Sequence, residues 1–299
     1  VRVASTAVIT KMLGGSRQQI IDAVSQAWLD GSSLRTYRHS PNAGPRKSWA
    51  AGDATSRAVR LADLTMRGEI GYPSVLSAKT WGFYDVSFAG NSFVFDQKYG
   101  TYVMENILFK ISFPAEFHSQ TAAEAAVKLH PIVKNRLHEV ERIVVHTHES
   151  AIRIISKSGP LNNPADRDHC LQYMIAVPLI FGDLVAENYE DEFHENNPLI
   201  DELRLKMEIH EHPTYTQEYL EPDKRSIANS LQVYFNDNTK SEVIEINYPV
   251  GHKKRRKEGI PMLEQKFKSN LRTRFPTSRC DEIFKLCASQ EQLEATPVS

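Results

Sequence analysis

Apolar residues in the N-terminal third of the chain recur at helical spacing. Between Ser16 and Trp28 they form a stripe along one face, and Ser16 and Gln19 match the capping-box pattern at its start. The apolar positions of residues 1–13 predict another, buried helix. Residues 48–65 predict a further helix, and the small residues of its first half predict burial on more than one side. This part of the chain is therefore expected to be mostly helical.

The pattern changes near residue 106 to strands mixed with helices. Residues 116–130 predict a helix, and residues 142–155 predict a strand. Apolar and polar positions alternate over residues 231–235, and a turn of Asn and Asp residues separates them from a second apolar run at 243–247. This combination predicts a β-hairpin, and hence a sheet in this part of the chain.

Three more helical segments complete the pattern. Helices are predicted over residues 171–184 and 198–207, where they would cover one face of the sheet and give an α+β arrangement. A loop is predicted over residues 251–259, followed by a helix over residues 261–286. The C-terminal part of the chain is therefore expected to be helical again.

These elements predict two domains, one all-helical and one α+β. Residues 1–105 are expected to form the helical domain, and residues 106–259 an α+β lid domain with a mostly antiparallel sheet. The helices of residues 260–299 are expected to return to the helical domain. The chain begins without Met and directly with helix-like residues, which is typical of the interior of a domain. The N-terminal part of the helical domain is therefore expected to be missing.

Composition limits the partners that the chain can have. The 299 residues are 41% hydrophobic, which is enough to bury a sizeable core, and the formal net charge is -1. Such a chain has no long-range field that would attract nucleic acid or an anionic membrane. The longest apolar run, residues 173–186, is interrupted and too short to span a bilayer. Any anion-binding site must therefore be local.

The spacing of possible ligand residues argues against a metal or cofactor site. Cys170, Cys280 and Cys287 are an odd number without a CxxC pair, which argues against both a disulfide scaffold and an iron-sulfur cluster. His-Glu occurs four times, but no histidine follows four residues later, as a zinc protease requires. His146 and His148 would share one strand face, although a pair of histidines on a solvated strand is the commoner case. Phosphate-loop, dinucleotide-binding and serine-hydrolase motifs are absent from the sequence.

Basic residues gather before the helix predicted at residues 48–65. Arg38, Arg46 and Lys47 lie close to its start, where unpaired backbone N–H groups and the helix dipole attract anions. Desolvation and the neighbouring arginine would lower the pKa of Lys47, so this lysine could act as a base or as a clamp for negative charge. The alternative is a surface lysine at the start of a helix.

Two further segments carry groups suited to the same chemistry. Lys110, Glu116 and His118 lie at the start of the helix predicted at residues 116–130. His169 and Tyr173 lie one turn apart at the start of another helix, which would place them on a common face. Each segment alone is also consistent with a purely structural role.

The strongest charge block is the basic run at residues 252–257. It lacks interleaved aromatic residues, so a solvated basic loop is a better interpretation than a nucleic-acid patch. A third interpretation is that part of this run helps to hold a polyanionic substrate.

Three runs of sequence together resemble the site-forming stretches of the MmgE/PrpD family. They are RKSWAAGDA (46–54), FKISFPAEFH (109–118) and DHCLQYMIA (168–176). Runs such as WGFYDVSF and YPVGHKKRRKEGIP resemble the branch that dehydrates 2-methylcitrate more closely than the branches that decarboxylate cis-aconitate or epimerise related acids. The resemblance covers essentially the whole chain and implies a helical domain closed by an α+β lid, with substrate between them.

The resemblance implies a cofactor-independent hydro-lyase. It would remove water from 2-methylcitrate to give 2-methyl-cis-aconitate, a step of propionate catabolism through the methylcitrate cycle. A decarboxylase or epimerase acting on a related polycarboxylic acid, or a binding fragment without turnover, are the alternatives. The implied catalytic residues are Lys47, Lys110, Tyr173 and His118, and the implied substrate-binding residues are Arg46, His169, Glu116 and Arg38. No metal ligand is implied.

Further expectations concern the state of the protein. The resemblance describes the chain as a C-terminal portion of the enzyme, which would be inactive alone because family acid-base residues lie N-terminal of it. The expected partners are a small tricarboxylic acid and, in a homodimer, a second copy of the chain, with neither nucleic acid nor membrane. The expected location is the cytoplasm in a bacterium or the mitochondrial matrix in a eukaryote.

Overall fold

The computed structural model describes residues 1–31, 34–38, 43–96, 100 and 102–297. The chain divides into two compact units, residues 1–99 (unit 1) and residues 100–299 (unit 2). Within the described residues, unit 1 is helical and unit 2 contains a sheet with helices. The protein is thus a mixture of helices and sheet, compatible with the α+β class.

The helices of unit 1 are α1 (Arg2–Met12), α2 (Arg17–Leu29), α3 (Arg46–Met66) and α4 (Phe83–Ser87), with a 3₁₀ turn at Thr36–Arg38. The helix predicted from the capping box is confirmed as α2. The Ser16 hydroxyl accepts from the Gln19 N–H at 3.3 Å, and the Gln19 side chain accepts from the Ser16 N–H at 2.9 Å. These two hydrogen bonds satisfy N–H groups that the helix itself leaves unpaired.

Small side chains form the core between the helices of unit 1. Ala23 and Ala27 of α2 and Ala58 and Ala62 of α3 are fully buried, so the helices can approach closely. The prediction that α3 is buried on more than one side is wrong within the described residues, because Ala51 and Gly52 in its first half are exposed.

Helix α1 presents a different face from the predicted one. Its buried side chains are Thr6 and Thr10, whose hydroxyls bond to carbonyls one turn earlier. Val8 and Met12 are 59% and 80% exposed. The helix itself was predicted correctly, but the prediction that its apolar residues are buried is wrong. The two threonines, whose hydroxyls donate to carbonyls of the same helix, fit the narrow contact with α2 and α3 instead.

Unit 2 has more elements. Its helices are α5 (Tyr102–Asn106), α6 (Gln120–Val133), α7 (Glu149–Ile155), α8 (Pro164–Arg167), α9 (Leu171–Phe181), α10 (Asp191–Glu195), α11 (Leu199–Leu205), α12 (Pro213–Leu220), α13 (Arg256–Arg272), α14 (Thr277–Cys287) and α15 (Gln290–Ala295). Its strands are β1 (Val140–Thr147), β2 (Met207–Glu211), β3 (Asn229–Phe235) and β4 (Ile244–Ile246).

The strands of the described chain form one mixed sheet in the order β2-β1-β3-β4. The pair β1/β2 is parallel, with Ile143 opposite Met207, whereas β1/β3 and β3/β4 are antiparallel. The predicted hairpin is confirmed as β3 and β4. The strand predicted over 142–155 is only half right, because β1 ends at Thr147 and α7 follows with Glu149 in its first turn, where a carboxylate favours a helix start.

The core of unit 2 lies between this sheet and helices α6 and α9. Ile143 and Val145 alternate along β1 and are fully buried, as are Leu129 of α6 and most of α9. A helix that is apolar all round must be covered on every side, and α9 is buried from Leu171 to Leu179. Burying each leucine or isoleucine contributes about 1.5–3 kcal/mol relative to exposure.

The C-terminal segment departs from the expected pattern at two points. The predicted loop at 251–259 is wrong, because a 3₁₀ turn at Lys253–Arg255 leads directly into α13. The helix predicted over 261–286 is broken before Pro276, which has a fixed φ and no N–H to continue a helix. The predicted domain boundaries at residues 105 and 259 stay predictions. No described helix is long and apolar enough to cross a lipid bilayer.

Candidate active site

A tightly bonded turn in unit 2 leads from Lys110 into α6. The Gln120 side-chain amide donates to the Phe113 and Ala115 carbonyls, both at 2.8 Å, and Ala115 is fully buried. The Ser119 hydroxyl donates to the Glu116 carbonyl at 2.6 Å. These bonds fix the backbone on which the next two polar side chains stand.

Glu116 and His118 form a hydrogen-bonded pair on this turn. His118 Nδ1 lies 2.8 Å from both carboxylate oxygens, and the His118 N–H donates to Glu116 Oε2 at 2.8 Å. Burial acts to raise the pKa of Glu116, but the hydrogen bond and charge of His118 outweigh it, so the pKa lies below its ordinary value. Glu116 is therefore a carboxylate at neutral pH, which makes His118 Nδ1 the donor in this pair.

The other nitrogen of His118 faces a tyrosine and a second histidine. His118 Nε2 lies 3.2 Å from the Tyr219 hydroxyl, which comes from α12. The ring of His148 stacks on Tyr219 with centroids 4.5 Å apart and an angle of 11°. His148 is fully buried, and among the described residues neither of its ring nitrogens has a hydrogen-bond partner. Burial first, and then the charge of His118, lowers the pKa of His148 to about 4.

A cavity of about 520 Å³ in unit 2 opens beside His118. This volume lies within the range of pockets that hold small molecules. Its polar lining residues are Asn106, His118, Tyr219, Arg225, His252 and Lys253, and its apolar lining residues are Val103, Ile107, Leu108, Phe117 and Ile227. The cavity thus combines histidine side chains, two permanent cations and apolar side chains.

A close backbone contact assembles one side of this cavity. Gly251 lies so near Phe109 that a Cβ atom at Gly251 would be 1.6 Å from the Phe109 carbonyl oxygen, and the Phe109 N–H donates to the Gly251 carbonyl at 3.1 Å. Only glycine allows this approach. The contact brings His252 and Lys253 next to α5, where Lys253 Nζ donates to Asn106 Oδ1 at 2.8 Å.

His252 is neutral despite its basic neighbours. Burial first, and then the charges of Lys254, Lys253 and Arg256, lower its pKa to about 4. Its Nδ1 accepts from the Lys254 N–H at 3.2 Å. The positive charge of the cavity therefore comes from Arg225 and Lys253, not from the histidine.

Most of the remaining basic run is engaged inside unit 2. Arg255 makes two hydrogen bonds to Glu124, at 2.8 and 3.1 Å, and Arg256 donates to the Ile107 carbonyl at 2.6 Å. Lys254 Nζ donates to the Tyr248 hydroxyl at 2.8 Å. The run is thus neither a loop nor an extended cationic face.

Lys110 and His169 lie in the same electrostatic environment as Glu116. Partial burial lowers the pKa of Lys110, although Glu116 and Asp168 act in the opposite direction. His169 is buried, its Nδ1 lies 3.0 Å from an Asp168 carboxylate oxygen, and its charge helps to lower the pKa of Glu116. The structure therefore brings the Lys110, Glu116, His118 and His169 segments together.

Tyr173 points elsewhere. It is fully buried, and its hydroxyl donates to the Asn188 carbonyl. Burial, as the largest cause, raises its pKa well above the ordinary value. His169 lies before the start of α9, so the predicted common helix face of these two residues is wrong. The catalytic role of Tyr173 stays a prediction that its present burial does not support.

The remaining predicted site residues belong to unit 1. Arg46 and Lys47 occupy the first turn of α3, which begins two residues earlier than the predicted helix. The guanidinium of Arg46 lies 4.3 Å from the Trp49 ring centroid and forms an ion pair with Asp53 at 3.1 Å. Arg38 ends the 3₁₀ turn before α3. The prediction that Lys47 shares one cleft with Lys110 and Tyr173 involves both units and stays a prediction.

Unit 1 also contains a smaller cavity, of about 360 Å³. It is lined by Asp30, Ser56, Arg57, Arg60 and Leu61. Arg57 forms an ion pair with Asp30 at 2.9 Å, so one of its two cations is already compensated. It lacks a histidine, and we regard the unit 2 cavity as the better candidate for proton chemistry.

Possible metal ligands are dispersed in the described chain. It contains no group of three or more His, Cys, Asp or Glu side chains that could hold a metal ion. His146 and His148 do not share a strand face, since His148 follows β1 as the N-cap of α7. Metal independence nevertheless stays a prediction.

Two residues of the cavity were missed by the sequence analysis. Tyr219 and Arg225 lie in and just after α12, about a hundred residues from His118, in a segment without a recognisable motif. Arg225 has a φ of +47°, an uncommon conformation for a residue with a side chain. A positive φ cannot be recognised from an arginine in the sequence.

Comparison with known proteins adds to this geometry. The MmgE/PrpD C-terminal domain matches residues 113–290, and the MmgE/PrpD N-terminal domain matches residues 1–96. The chain is 56% identical to a 2-methylcitrate dehydratase of Escherichia coli and 57% identical to one of Cupriavidus necator, in each case over all of this chain and 62% of the relative. It is 55% identical to a "2-methylcitrate dehydratase, mitochondrial" of Yarrowia lipolytica, over 98% of this chain and 56% of the relative.

These matches correct one expectation. The description of the chain as a C-terminal portion is wrong, because the N-terminal domain of the family matches residues 1–96 and the chain spans 62% of the bacterial relatives. The two domain matches together cover most of the chain and agree with the resemblance found in its three site-forming runs. The chain belongs to the MmgE/PrpD family.

Proposed function

We propose that the protein dehydrates 2-methylcitrate to 2-methyl-cis-aconitate. The relatives cited above are named 2-methylcitrate dehydratases. This chain spans 62% of the length of the bacterial relatives, so the activity is a proposal for this protein. The single observation that carries the proposal is the Glu116–His118 pair at the wall of a cavity that also contains Arg225 and Lys253.

The reaction needs an acid or base beside a place for several carboxylates. Elimination of water removes a proton next to a carboxylate while a hydroxyl group departs, so negative charge grows on the substrate. His118 is the proton-transfer group of this proposal, and Glu116 orients its ring by accepting from Nδ1–H. Arg225 and Lys253 supply the cations for carboxylates.

The apolar part of the cavity suits an alkylated acid. Val103, Ile107 and Ile227 are among the apolar residues that line it. A methyl group on the substrate would lose contact with water there, with a gain of about 0.8 kcal/mol per buried carbon. This feature supports a methyl-substituted tricarboxylate over an unsubstituted one.

Other predicted residues keep secondary places in the proposal. Lys110 and His169 would adjust the charge around Glu116. Arg38, Arg46 and Lys47 keep the roles that the resemblance implies for them, carboxylate binding and charge stabilisation. A reaction without metal or redox cofactor also stays a proposal. So do a homodimer and a location in a bacterial cytoplasm or a mitochondrial matrix. The isolated chain is proposed to lack turnover, so the dehydration is proposed for a longer protein that includes this chain.

Product analysis tests the proposal against its rivals within the family. The chain, and a longer protein that includes it, are incubated with 2-methylcitrate, and the products are separated by chromatography and identified by mass spectrometry. A product lighter by one water supports dehydration, and one lighter by carbon dioxide identifies a decarboxylase. A separated product of unchanged mass identifies an epimerase. Binding of the acid without any product would instead favour a module without turnover.

The same assay tests whether the cavity binds the substrate. Arg225→Ala should raise the KM for 2-methylcitrate, because a substrate carboxylate loses its cation. Arg153→Ala is the matched control, since Arg153 is two-thirds exposed and pairs with Glu149 on the surface of α7. Equal kinetics for both variants would contradict the assignment of the cavity.

A further inference from the structure

A tyrosine that no sequence motif identifies completes the arrangement around His118. The Tyr219 hydroxyl lies 3.2 Å from His118 Nε2, and His118 Nδ1 lies 2.8 Å from Glu116. We infer that Tyr219 is a further catalytic residue, which donates the proton to the departing hydroxyl group and is itself reprotonated by His118. This inference rests on the proposed dehydration.

The direction of the relay follows from the charge on Glu116. Glu116 accepts from His118 Nδ1–H at 2.8 Å, so Nε2 is the ring nitrogen that faces Tyr219. The relay uses the protonated form of His118, in which both ring nitrogens are donors. His118 Nε2–H then donates to the Tyr219 oxygen, and the hydroxyl proton of Tyr219 is left to point into the cavity that both residues line. Tyr219 thus presents a proton where a substrate hydroxyl could accept it.

Tyr219 and His118 supply the acid half of the elimination, and a second group acts as the base. The base takes the proton from the substrate carbon, and the electron pair of that carbon–hydrogen bond forms the new double bond. The carbon–oxygen bond breaks, and its electron pair stays on the departing oxygen, which takes the Tyr219 proton and leaves as water. The Tyr219 oxygen takes the Nε2 proton of His118, which becomes neutral and keeps its Nδ1–H bond to Glu116. Exchange with solvent then deprotonates the base and reprotonates His118.

Two permanent cations line the cavity together with His118 and Tyr219. They are Arg225 and Lys253, whereas His252 is neutral. Carboxylates of a bound substrate would compensate both cations. A substrate held in this way would lie in the cavity that the Tyr219 hydroxyl faces.

His148 is the positioning residue for Tyr219. Its ring is stacked at 4.5 Å on the tyrosine and lies 5.1 Å from His118. The imidazole of His148 is buried without a hydrogen-bond partner among the described residues, which is costly, and its flat face packs against the Tyr219 ring. The Glu149 N–H, next in the chain, donates to the Thr216 hydroxyl at 2.9 Å and ties α7 to α12.

The kinetics of Tyr219→Phe test the inference, because this variant removes the hydroxyl group and keeps the stacked ring. We expect kcat to fall by about 100-fold or more with KM nearly unchanged, since a positioned acid acts mainly in the transition state. Tyr215→Phe is the matched control, because Tyr215 lies one turn earlier on α12 and is likewise stacked on a histidine, His212, at 4.2 Å. A Tyr219→Phe variant as active as Tyr215→Phe overturns the inference.

Two further measurements separate chemistry from folding. His148→Phe should restore most of the kcat that His148→Ala loses, because a phenyl ring preserves the stack; equal losses would overturn the positioning role. The ¹⁵N shift of His118 Nε2 in the chain should change in Tyr219→Phe and not in Tyr215→Phe. If neither the chain nor a longer protein that includes it dehydrates a polyacid, the proposed function fails. An unchanged His118 shift in Tyr219→Phe would show separately that the Tyr219 contact fails.

Discussion

The buried His148 should make the folded protein less stable in mild acid. Its pKa is about 4 in the folded chain, against an ordinary value of 6.5. Because the unfolded chain binds this proton at a higher pH than the folded chain does, stability is complete above pH 6.5 and is lost as the pH falls towards 4. The perturbation that isolates this effect is His148→Phe, which keeps a ring against Tyr219 and removes the titrating group.

The size of the effect follows from the shift. Each pH unit in this window costs about 1.4 kcal/mol, so lowering the pH from 7 to 5 should cost about 2 kcal/mol through His148. His118 and Glu116 face the same ring, the first lowering and the second raising its pKa, and both remain in the variant. His252 titrates in a similar range but is also present in both proteins.

The measurement is the free energy of unfolding of unit 2 at pH 7 and pH 5. All tryptophans of the sequence lie in unit 1, so fluorescence would not report it. Hydrogen exchange of the β1 and β3 peptides in increasing urea reports the sheet itself. We expect the loss between the two pH values to be about 2 kcal/mol smaller in His148→Phe than in the parent.

A matched control is available on the surface. His138 is 79% exposed by side chain, and His138→Gln should leave the pH dependence as it is. If His148→Phe and the parent lose the same free energy from pH 7 to pH 5, then His148 is not held neutral by burial. The account of its place beside Tyr219 would then be refuted.

Two more predictions concern the stability of unit 2, measured by urea unfolding. Arg255→Ala should lower the free energy of unfolding by about 2–3 kcal/mol, because it breaks the paired hydrogen bonds to Glu124. Lys254→Ala should lower it by about 0.5 kcal/mol or less. Equal effects would show that the whole basic run at residues 252–257 is solvated. Leu129→Ala should cost about 2–5 kcal/mol as a buried truncation, and Leu205→Ala, at an 85% exposed site, about 0.5 kcal/mol or less.

Elements with a complete local signal were predicted from the sequence. Helix α2 has its capping box and stripe within one segment, and the hairpin β3/β4 has alternation and a turn in sequence. Strand β2 was missed because it pairs in parallel at the edge of the sheet, and the partner of its residues, β1, is far away in the chain. Local patterns do not contain that pairing.

The candidate site shows the same division. Glu116 and His118 were found because the turn that pairs them is local. Tyr219 reaches His118 from about a hundred residues away, so this contact depends on the tertiary fold and not on a local pattern. Tyr173 was placed correctly on α9, but periodicity could not reveal that a helix apolar on all sides would turn its hydroxyl into the core.

The central claim is that the Glu116–His118 pair carries the dehydration, and kinetics of His118→Gln test it most directly. The variant is compared with His138→Gln in the assay of unsaturated product from 2-methylcitrate, after both are shown to be folded. The account predicts a fall in kcat of about 100-fold or more for His118→Gln, as expected for loss of a general acid or base, and no change for His138→Gln. Undiminished turnover by His118→Gln would contradict it.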